Sequence, residues 1–301
     1  MTSLDPAVTA VLRVLCAALD GAPLRWALTG SAGMALQGMP YQPRDVDMQT
    51  SAAGAREIEQ RLARYVTQPL AWKESPTVRS LSGRLEIEGK EVEVIGGLEH
   101  LGAKGWEATD LGRIIHYAVL DDLRIPVLSL AYEAQAYARM GRAEKAAALN
   151  EWAGQHPDVT GIINYRLLSP HLATAGMPLP EQLPLFAAQG YRAVINLARP
   201  DSPGAIPDEE AAVRTLGMDY VPIPVIWEAP TRENLRAFYA AMDACRGQPV
   251  FVHCVLNMRV SAFCYLYRVQ RLGIEEETAR EDLLAIWDPD ELWSAFFAAN
   301  R

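Results

Sequence analysis

Apolar residues recur at helical spacing near the start of the chain and at strand spacing further along it. One face of the first segment carries Val8, Val11, Leu12, Leu15 and Leu19. This period of about 3.6 residues predicts an amphipathic helix over residues 6–19. Beyond it, apolar runs of strand length alternate with longer amphipathic segments to the end of the sequence. That alternation predicts α/β architecture, with helices covering sheets.

The predicted elements differ in order between the two halves of the chain. The first half predicts strands at residues 25–29 and 44–48, helices from residue 30 and at 53–65, and a hairpin at 84–95 that turns at Gly89 and Lys90. The second half predicts strands at residues 191–197, 218–225 and 249–254, and helices at 209–216, at 232–245 and from about 259. We therefore expect an α+β domain with a mixed sheet, followed by an α/β domain.

The boundary between these domains is marked by helix-breaking residues. A long helical stretch, residues 128–152, runs into Gly154 and Pro157, and a new strand-like series begins at Ile162. A chain of 301 residues is long for one core and comfortable for two. The predicted domains are residues 1–157 and residues 158–301.

Composition and charge restrict the kinds of partner. The formal net charge of −9 argues against a broad nucleic-acid-binding surface and leaves room only for local anion sites. No apolar run reaches the roughly 18 residues that a membrane span needs. Asp5, Arg13 and Asp20 interrupt the apolar segment near the start, which argues against a signal peptide. We expect a cytoplasmic protein without a membrane partner.

Two aspartates in R-D-V-D-M predict a metal site. On a strand, Asp45 and Asp47 face one way because side chains alternate between the two faces. Such a pair repels itself unless a cation lies between its members, and Mg²⁺ bound by one or two carboxylates and substrate phosphates is the usual solution. Gly30 and Ser31 stand at a predicted strand-to-helix turn, where backbone N–H groups can approach a phosphate.

A third acid could complete a site for two metal ions. In E-V-E-V, Glu91 and Glu93 share one face of the predicted hairpin strand, while the valines between and after them face the core. We favour Glu93 as the third ligand and keep Glu91 as the alternative.

The pattern G-S, thirteen residues, D-V-D resembles the signature of the polymerase-beta-type nucleotidyltransferases, in particular the minimal and antibiotic-modifying bacterial members. The resemblance implies that Gly30 and Ser31 hold a nucleoside triphosphate and that Asp45 and Asp47 bind Mg²⁺ or Mn²⁺. Glu93 would bind metal and position or deprotonate the acceptor hydroxyl. The implied reaction is nucleotidyl transfer with release of pyrophosphate. A macromolecule is one possible acceptor.

A cysteine in the second half lies where a thiolate is stabilised. P-V-F-V-H-C has the pattern of a buried strand, and an apolar helix follows, so Cys254 lies between a strand end and a helix start. Loop N–H groups and the helix dipole lower a thiol pKa at that position, and Arg259 adds a positive charge. The same donors bind phosphate. Cys254 is therefore predicted to attack phosphorus, with Arg259 paired to the phosphate oxygens.

This stretch resembles the cysteine-dependent phosphatases of the tyrosine and dual-specificity class, whose signature is His-Cys, five residues, Arg, then Ser or Thr. Here four residues separate Cys254 from Arg259, so either the tighter loop still turns the arginine inward or the anion clamp is lost. Ser261 stands where a hydroxyl helps to expel the thiolate, and Asn257 is the best candidate for a left-handed loop residue. Glu228 is the nearby substitute for the general-acid aspartate.

Three hypotheses follow for the whole chain. The first is a bifunctional enzyme, with nucleotidyl transfer in the first domain and hydrolysis of a phosphorylated substrate, without a cofactor, in the second. The second is a regulatory module that binds nucleotide or phosphoanion, with one or both catalytic sites decayed. The third is an interaction protein of a toxin–antitoxin-like system, whose transferase domain acts on a macromolecule.

Overall fold

The computed structural model describes residues 4–301, and contacts divide the chain into two compact units, Met1–Asp158 and Val159–Arg301. Each unit has its own sheet and its own apolar core. Mixed sheets combined with helices confirm the predicted fold class. Among the described residues, no helix combines the length and the apolar character needed to cross a membrane.

The first unit is built on a mixed sheet with helices. Its helices are α1 (Pro6–Leu19), α2 (Gly30–Leu36), α3 (Ala52–Arg61), α4 (Leu111–Ile114), α5 (Leu130–Arg139) and α6 (Ala143–Gln155). Its strands are β1 (Trp26–Thr29), β2 (Val46–Thr50), β3 (Val66–Glu74), β4 (Val78–Ile87), β5 (Lys90–Gly102), β6 (Gly105–Ala108), β7 (Ile115–Leu120) and β8 (Leu123–Leu128). The strand order is β3-β4-β5-β2-β1-β8-β7, with β6 paired to β5.

The first helix forms for reasons in its own sequence. The side chain of Asp5 accepts a hydrogen bond from the Ala7 N–H at 2.9 Å, and Pro6 occupies the first helical position, where an N–H would have no partner. The apolar face of α1 is fully buried in the core of the unit. Burying each Val or Leu side chain there contributes about 1.5–3 kcal/mol. The predicted helix over residues 6–19 is confirmed.

Two predictions for the first unit are wrong in detail. The predicted single helix over residues 128–152 is two helices, α5 and α6, because the chain turns at Gly141 with a φ of +74°. The hairpin turns at Glu88 and Gly89, one residue earlier than predicted, since both adopt positive φ and Lys90 already pairs with Ile87.

The second unit is a largely parallel five-stranded sheet with helices. Its strands are β9 (Arg166–Ser169), β10 (Leu172–Ala175), β11 (Ala193–Asn196), β12 (Asp219–Pro222) and β13 (Val250–His253), in the order β12-β11-β13-β10-β9. Its helices are α7 (Leu183–Ala188), α8 (Glu209–Thr215), α9 (Arg232–Ala244), α10 (Met258–Leu272), α11 (Glu276–Leu284) and α12 (Glu291–Ala299). Only the pair β9 and β10 is antiparallel.

The parallel strands bring the chemistry of the second unit to one edge of the sheet. Asn196 at the end of β11 pairs with His253 at the end of β13 and with Pro222 at the end of β12. The loops that leave these three strands therefore start side by side. The carboxyl edge of such a sheet is where α/β proteins usually bind ligands, and Cys254 is the first residue beyond β13.

Candidate functional site

The register of three strands positions the predicted metal-binding acids of the first unit. Asp47 on β2 pairs with Thr29 at the end of β1 on one side and with Glu93 of β5 on the other. Asp45 lies just before β2 rather than on it, and its side chain is exposed. The prediction that both aspartates belong to the strand is therefore wrong for Asp45, although its charge still acts on Asp47.

Asp47 lies close to several other carboxylates. Its partial burial, followed by the charges of Asp45, Glu93 and Glu133, raises its pKa from the ordinary value of 3.8 to about 7. A cation at this position would favour the ionised form and relieve the repulsion. The electrostatics of Asp47 thus fit a divalent metal ion.

The third predicted ligand and its alternative are each paired with a basic side chain. Glu93 lies 3.6 Å from the Lys73 ammonium, and Glu91 lies 3.1 Å from the Arg84 guanidinium. Within residues 4–301, no three His, Cys, Asp or Glu side chains are assembled as a metal site. Mg²⁺ needs only one or two carboxylates when substrate phosphates supply further oxygens. Residues Asp45 and Asp47 fit a metal held in that way.

The predicted phosphate turn is already engaged with another carboxylate. Gly30 begins α2 with a φ of +65°, and a Cβ built on it would lie 2.6 Å from Asp47 Oδ2. Its N–H donates a hydrogen bond of 3.0 Å to Glu133, which also accepts one from the Thr29 hydroxyl at 2.5 Å. Ser31 is the next residue of α2 and is half-buried. The Gly30 N–H assigned to phosphate from sequence is therefore occupied.

Sequence reasoning missed Glu133 and left Lys145 out of the site. Burial raises the pKa of Glu133, and the charge of Lys145 is among the influences that lower it, so the two side chains are electrostatic neighbours. The ammonium of Lys145 lies over the rings of Tyr137 and Tyr41, at 4.1 and 5.2 Å from their centres. A signal for Glu133 was its place on the apolar face of α5, where a charged residue needs a partner.

Cys254 is the centre of the candidate site in the second unit. It is 1% exposed, and its N–H donates to the Ala175 carbonyl at 3.4 Å, which fixes the residue beyond the end of β13. An open cleft of about 550 Å³ lies over it. The cleft is lined by Arg199, Asp201, Ser202, Pro203, Trp227, Glu228, Cys254, Val255, Leu256, Met258 and Arg259.

Two backbone carbonyls of the loop after Cys254 accept hydrogen bonds from residues outside the cleft. The Met177 N–H donates to the Val255 carbonyl at 3.0 Å, and the Asn164 side-chain amide donates to the Leu256 carbonyl at 2.9 Å. Neither donor lines the cleft. Since a trans peptide directs N–H and C=O oppositely, the Leu256 N–H points away from Met177. Carbonyl oxygens that would repel an anion are thereby engaged elsewhere.

Asn257 adopts the left-handed conformation expected of it. Its φ is +63°, and it caps the 15-residue helix α10. Its side-chain amide donates to the Asn164 carbonyl at 2.7 Å and to the Thr174 hydroxyl at 3.0 Å. These bonds hold the start of α10, with its unsatisfied N–H groups, beside Cys254.

Arg259 turns inward despite the short spacing. It is 8% exposed, lines the cleft with Cys254, and donates from Nη1 to the carbonyls of Leu197 at 3.2 Å and Val225 at 2.7 Å. A guanidinium has five N–H donors, so two carbonyls on one nitrogen do not exhaust it. Arg259 thus reaches the cleft, while one of its nitrogens is bound to backbone carbonyls.

Of the two remaining predicted residues, Glu228 lines the cleft and Ser261 does not. Glu228 lines the cleft, as a general acid must. The Ser261 hydroxyl instead donates to the Met258 carbonyl at 2.9 Å and accepts from the Trp287 indole N–H at 3.0 Å. Ser261 is thus held by its own helix and by Trp287, and it does not line the cleft.

A buried polar group lies under the Cys254 loop. His253 Nε2 lies 2.7 Å from Glu209 Oε1, and neither side chain is more than 5% exposed. Glu209 also accepts hydrogen bonds from Asn196 at 2.8 Å and from the Tyr220 hydroxyl at 3.0 Å. This arrangement ties the ends of β11, β12 and β13 together. His253 is thus held by Glu209 directly before Cys254, and sequence reasoning missed Glu209.

Comparison with known proteins separates the same two parts of the chain. Residues 11–152 match the family model of aminoglycoside-2''-adenylyltransferase. Residues 164–268 match that of the phosphatase-like domain of beta-lactamase hydrolase-like protein. The curated beta-lactamase hydrolase-like proteins of Agrobacterium fabrum and Xylella fastidiosa are both 36% identical, over 119 and 96 residues. Those matches cover 36% and 31% of this chain but only 27% and 22% of the relatives, so the chain spans about a quarter of their length.

Two solved structures are each similar to part of the chain. A Thermotoga maritima protein assigned as a nucleotidyltransferase is 35% identical and covers 51% of this chain and 96% of its own, with a TM-score of 0.45. A Shewanella putrefaciens protein assigned as a phosphatase is 36% identical and covers 47% of this chain and 93% of its own, with a TM-score of 0.44. The chain is thus similar to aminoglycoside adenylyltransferases over residues 11–152 and to the phosphatase-like domain of beta-lactamase hydrolase-like proteins over residues 164–268.

Proposed function

We propose that the chain is a bifunctional enzyme, with metal-dependent nucleotidyl transfer in the first unit and thiol-dependent phosphate monoester hydrolysis in the second. For the transferase, the observation that carries the proposal is the partly buried carboxylate of Asp47, crowded by the charges of Asp45 and Glu93. Bound Mg²⁺ or Mn²⁺ would supply charge neutralisation for the triphosphate.

The residues of the first unit have separate tasks in this proposal. Asp45 and Asp47 hold the metal, and Ser31 contacts the triphosphate. Glu93 leaves Lys73 and takes the proton of the acceptor hydroxyl. The hydroxyl oxygen then forms a bond to the α-phosphorus as pyrophosphate leaves. The family name makes an aminoglycoside hydroxyl the first acceptor to test, and a macromolecular acceptor the second.

Incorporation of labelled nucleotide tests this activity. The full chain is incubated with each α-labelled nucleoside triphosphate, Mg²⁺ and an aminoglycoside panel, and then with cell extract as the acceptor source. We expect Asp45→Asn and Asp47→Asn each to lower the rate of nucleotide incorporation by at least about 100-fold. The matched control Asp20→Asn, at an exposed position, keeps it. Label transfer that is unaffected by Asp47→Asn would reject the proposal.

For the second unit, the observation that carries hydrolysis is the cleft that Cys254, Arg259 and Glu228 line together. The thiolate of Cys254 forms a bond to phosphorus while Glu228 gives a proton to the leaving oxygen. Arg259 and the loop N–H groups hold the phosphate oxygens. Water then breaks the sulfur–phosphorus bond and releases phosphate. This proposal requires a phosphorylated substrate and no cofactor.

Hydrolysis of a generic aryl phosphate tests this second activity. Cys254→Ser is expected to abolish turnover, and Arg259→Ala to lower kcat/KM by at least about 100-fold, equal to roughly 2.7 kcal/mol. Cys245→Ser is the matched control, since Cys245 does not line the cleft. Vanadate should inhibit the wild-type protein. Tight vanadate binding without turnover would instead support the regulatory phosphoanion-binding hypothesis and contradict hydrolysis.

A further inference from the structure

Glu133 is a buried carboxylate at a position no sequence motif marks. It lies in the first turn of α5 and is 4% exposed. A single oxygen, Oε1, accepts both the Thr29 hydroxyl at 2.5 Å and the Gly30 N–H at 3.0 Å. A carboxylate is rarely buried unless it is paired or hydrogen-bonded, and these two bonds are made to one turn. Glu133 therefore fixes the link between β1 and α2.

That link lies directly against the predicted metal ligand. Gly30 has a φ of +65°, and a Cβ there would come 2.6 Å from Asp47 Oδ2. Thr29 is also the strand partner of Asp47. A shift of the turn by a few tenths of an ångström would thus change the space open to the Asp47 carboxylate. The hydrogen bonds from Thr29 and Gly30 to Glu133 oppose such a shift.

The same bonds decide which donors remain for a phosphate. The Gly30 N–H points to Glu133, so it is not available to a triphosphate. Ser31, one residue further along α2, is half-buried. Glycine at position 30 is then required for its missing side chain and its positive φ, and not for its N–H.

Resting on the proposed nucleotidyl transfer, we infer that Glu133 is a positioning residue of the metal site. It holds the Thr29–Gly30 turn so that Asp47 keeps the orientation in which it binds the metal ion. Groups that orient a metal ligand in this way commonly change metal affinity by 10–100-fold when they are removed.

Mn²⁺ binding by the full chain tests the inference without requiring turnover. Free Mn²⁺ is titrated by electron paramagnetic resonance at pH 8 in the presence of a non-hydrolysable ATP analogue. Glu133→Gln keeps an oxygen that accepts from Thr29 and Gly30, so its affinity should stay within about 3-fold of wild type. Glu133→Ala removes the acceptor and should weaken Mn²⁺ binding by about 10-fold or more. Glu144→Gln, at an exposed site of α6, is the control.

A second variant keeps the test decisive if Glu133→Ala does not fold. Thr29→Val preserves size and removes only one of the two donors, so it should weaken Mn²⁺ binding by roughly 3-fold or more while its far-ultraviolet circular dichroism matches wild type. If either variant, Glu133→Ala or Thr29→Val, folds and binds Mn²⁺ as tightly as wild type, the role of Glu133 is overturned. The proposed nucleotidyl transfer would be unaffected by that result. A wild-type chain that binds no Mn²⁺ would overturn the proposed nucleotidyl transfer and, with it, the inference.

Discussion

The raised pKa of Asp47 predicts a specific pH dependence of metal binding. The carboxyl has a pKa of about 7 in the folded protein instead of the ordinary 3.8. A metal ion binds only the ionised carboxylate, so protons compete with it below pH 7. About one carboxyl in eleven is ionised at pH 6 and about ten in eleven at pH 8, from a pKa of about 7. The apparent Mn²⁺ affinity should therefore rise about 10-fold between these values, or about 1.4 kcal/mol.

Raising the pH should increase Mn²⁺ affinity but decrease the folding stability of the metal-free protein. Because the folded pKa of Asp47 is raised, the folded state holds a proton between about pH 4 and pH 7 that the unfolded chain has released. Stability contributed by Asp47 is thus highest at acidic pH and falls as the pH rises towards 7. Metal-free protein should become less stable through this window, and added Mn²⁺ should stabilise it most above pH 7.

Isothermal titration with Mn²⁺ alone, without nucleotide, at half-unit steps from pH 5.5 to 8.5 measures this dependence. Omitting nucleotide removes the titration of its phosphates from the result. The Asp47→Asn variant should bind Mn²⁺ weakly. Its Mn²⁺ affinity should show no transition near pH 7. Wild-type affinity that is flat across the range would refute the assignment of a crowded, partly buried carboxylate.

Two further predictions concern single contacts. Gly30→Ala forces a side chain into left-handed backbone and towards Asp47 Oδ2, 2.6 Å from the new Cβ, and should weaken Mn²⁺ binding about 10-fold with folding retained. Mn²⁺ titration checks this, and unchanged affinity would contradict the close approach. Asp282→Asn leaves Arg166 and Arg268 without the buried carboxylate that binds both, at 2.7 and 2.8 Å, so urea unfolding should show a loss of roughly 3–5 kcal/mol in the second unit. A loss below about 1 kcal/mol would contradict this dependence on Asp282.

Local patterns predicted the elements whose causes are local. The helix over residues 6–19 follows from its apolar period and from the cap at Asp5. Asn257 was the candidate for left-handed backbone because asparagine tolerates a positive φ. The break at Gly141 was missed because an apolar period continues on both sides of it. The exposed edge strand β3 was missed because it has no buried face to produce an alternating pattern.

The candidate sites were predictable to the extent that their residues are close in sequence. Asp45 and Asp47 are two positions apart, and Cys254 and Arg259 are five apart. Glu133 reaches Gly30 across 103 positions, a contact that only the packing of α5 against the turn creates. Likewise, the hydrogen bond from Trp287 to the Ser261 hydroxyl is a tertiary contact that the sequence does not reveal. Spacing alone therefore assigned that hydroxyl a catalytic role.

Two activities measured on one preparation of the full chain test the central claim that it carries two separate phosphate-handling centres. Nucleotide incorporation and aryl phosphate hydrolysis are measured for wild type, Asp47→Asn and Cys254→Ser. The account predicts that Asp47→Asn loses incorporation and keeps hydrolysis, while Cys254→Ser loses hydrolysis and keeps incorporation. Loss of both activities in either variant, with the variant folded, would contradict separate centres, and wild-type protein without either activity would contradict the bifunctional enzyme itself.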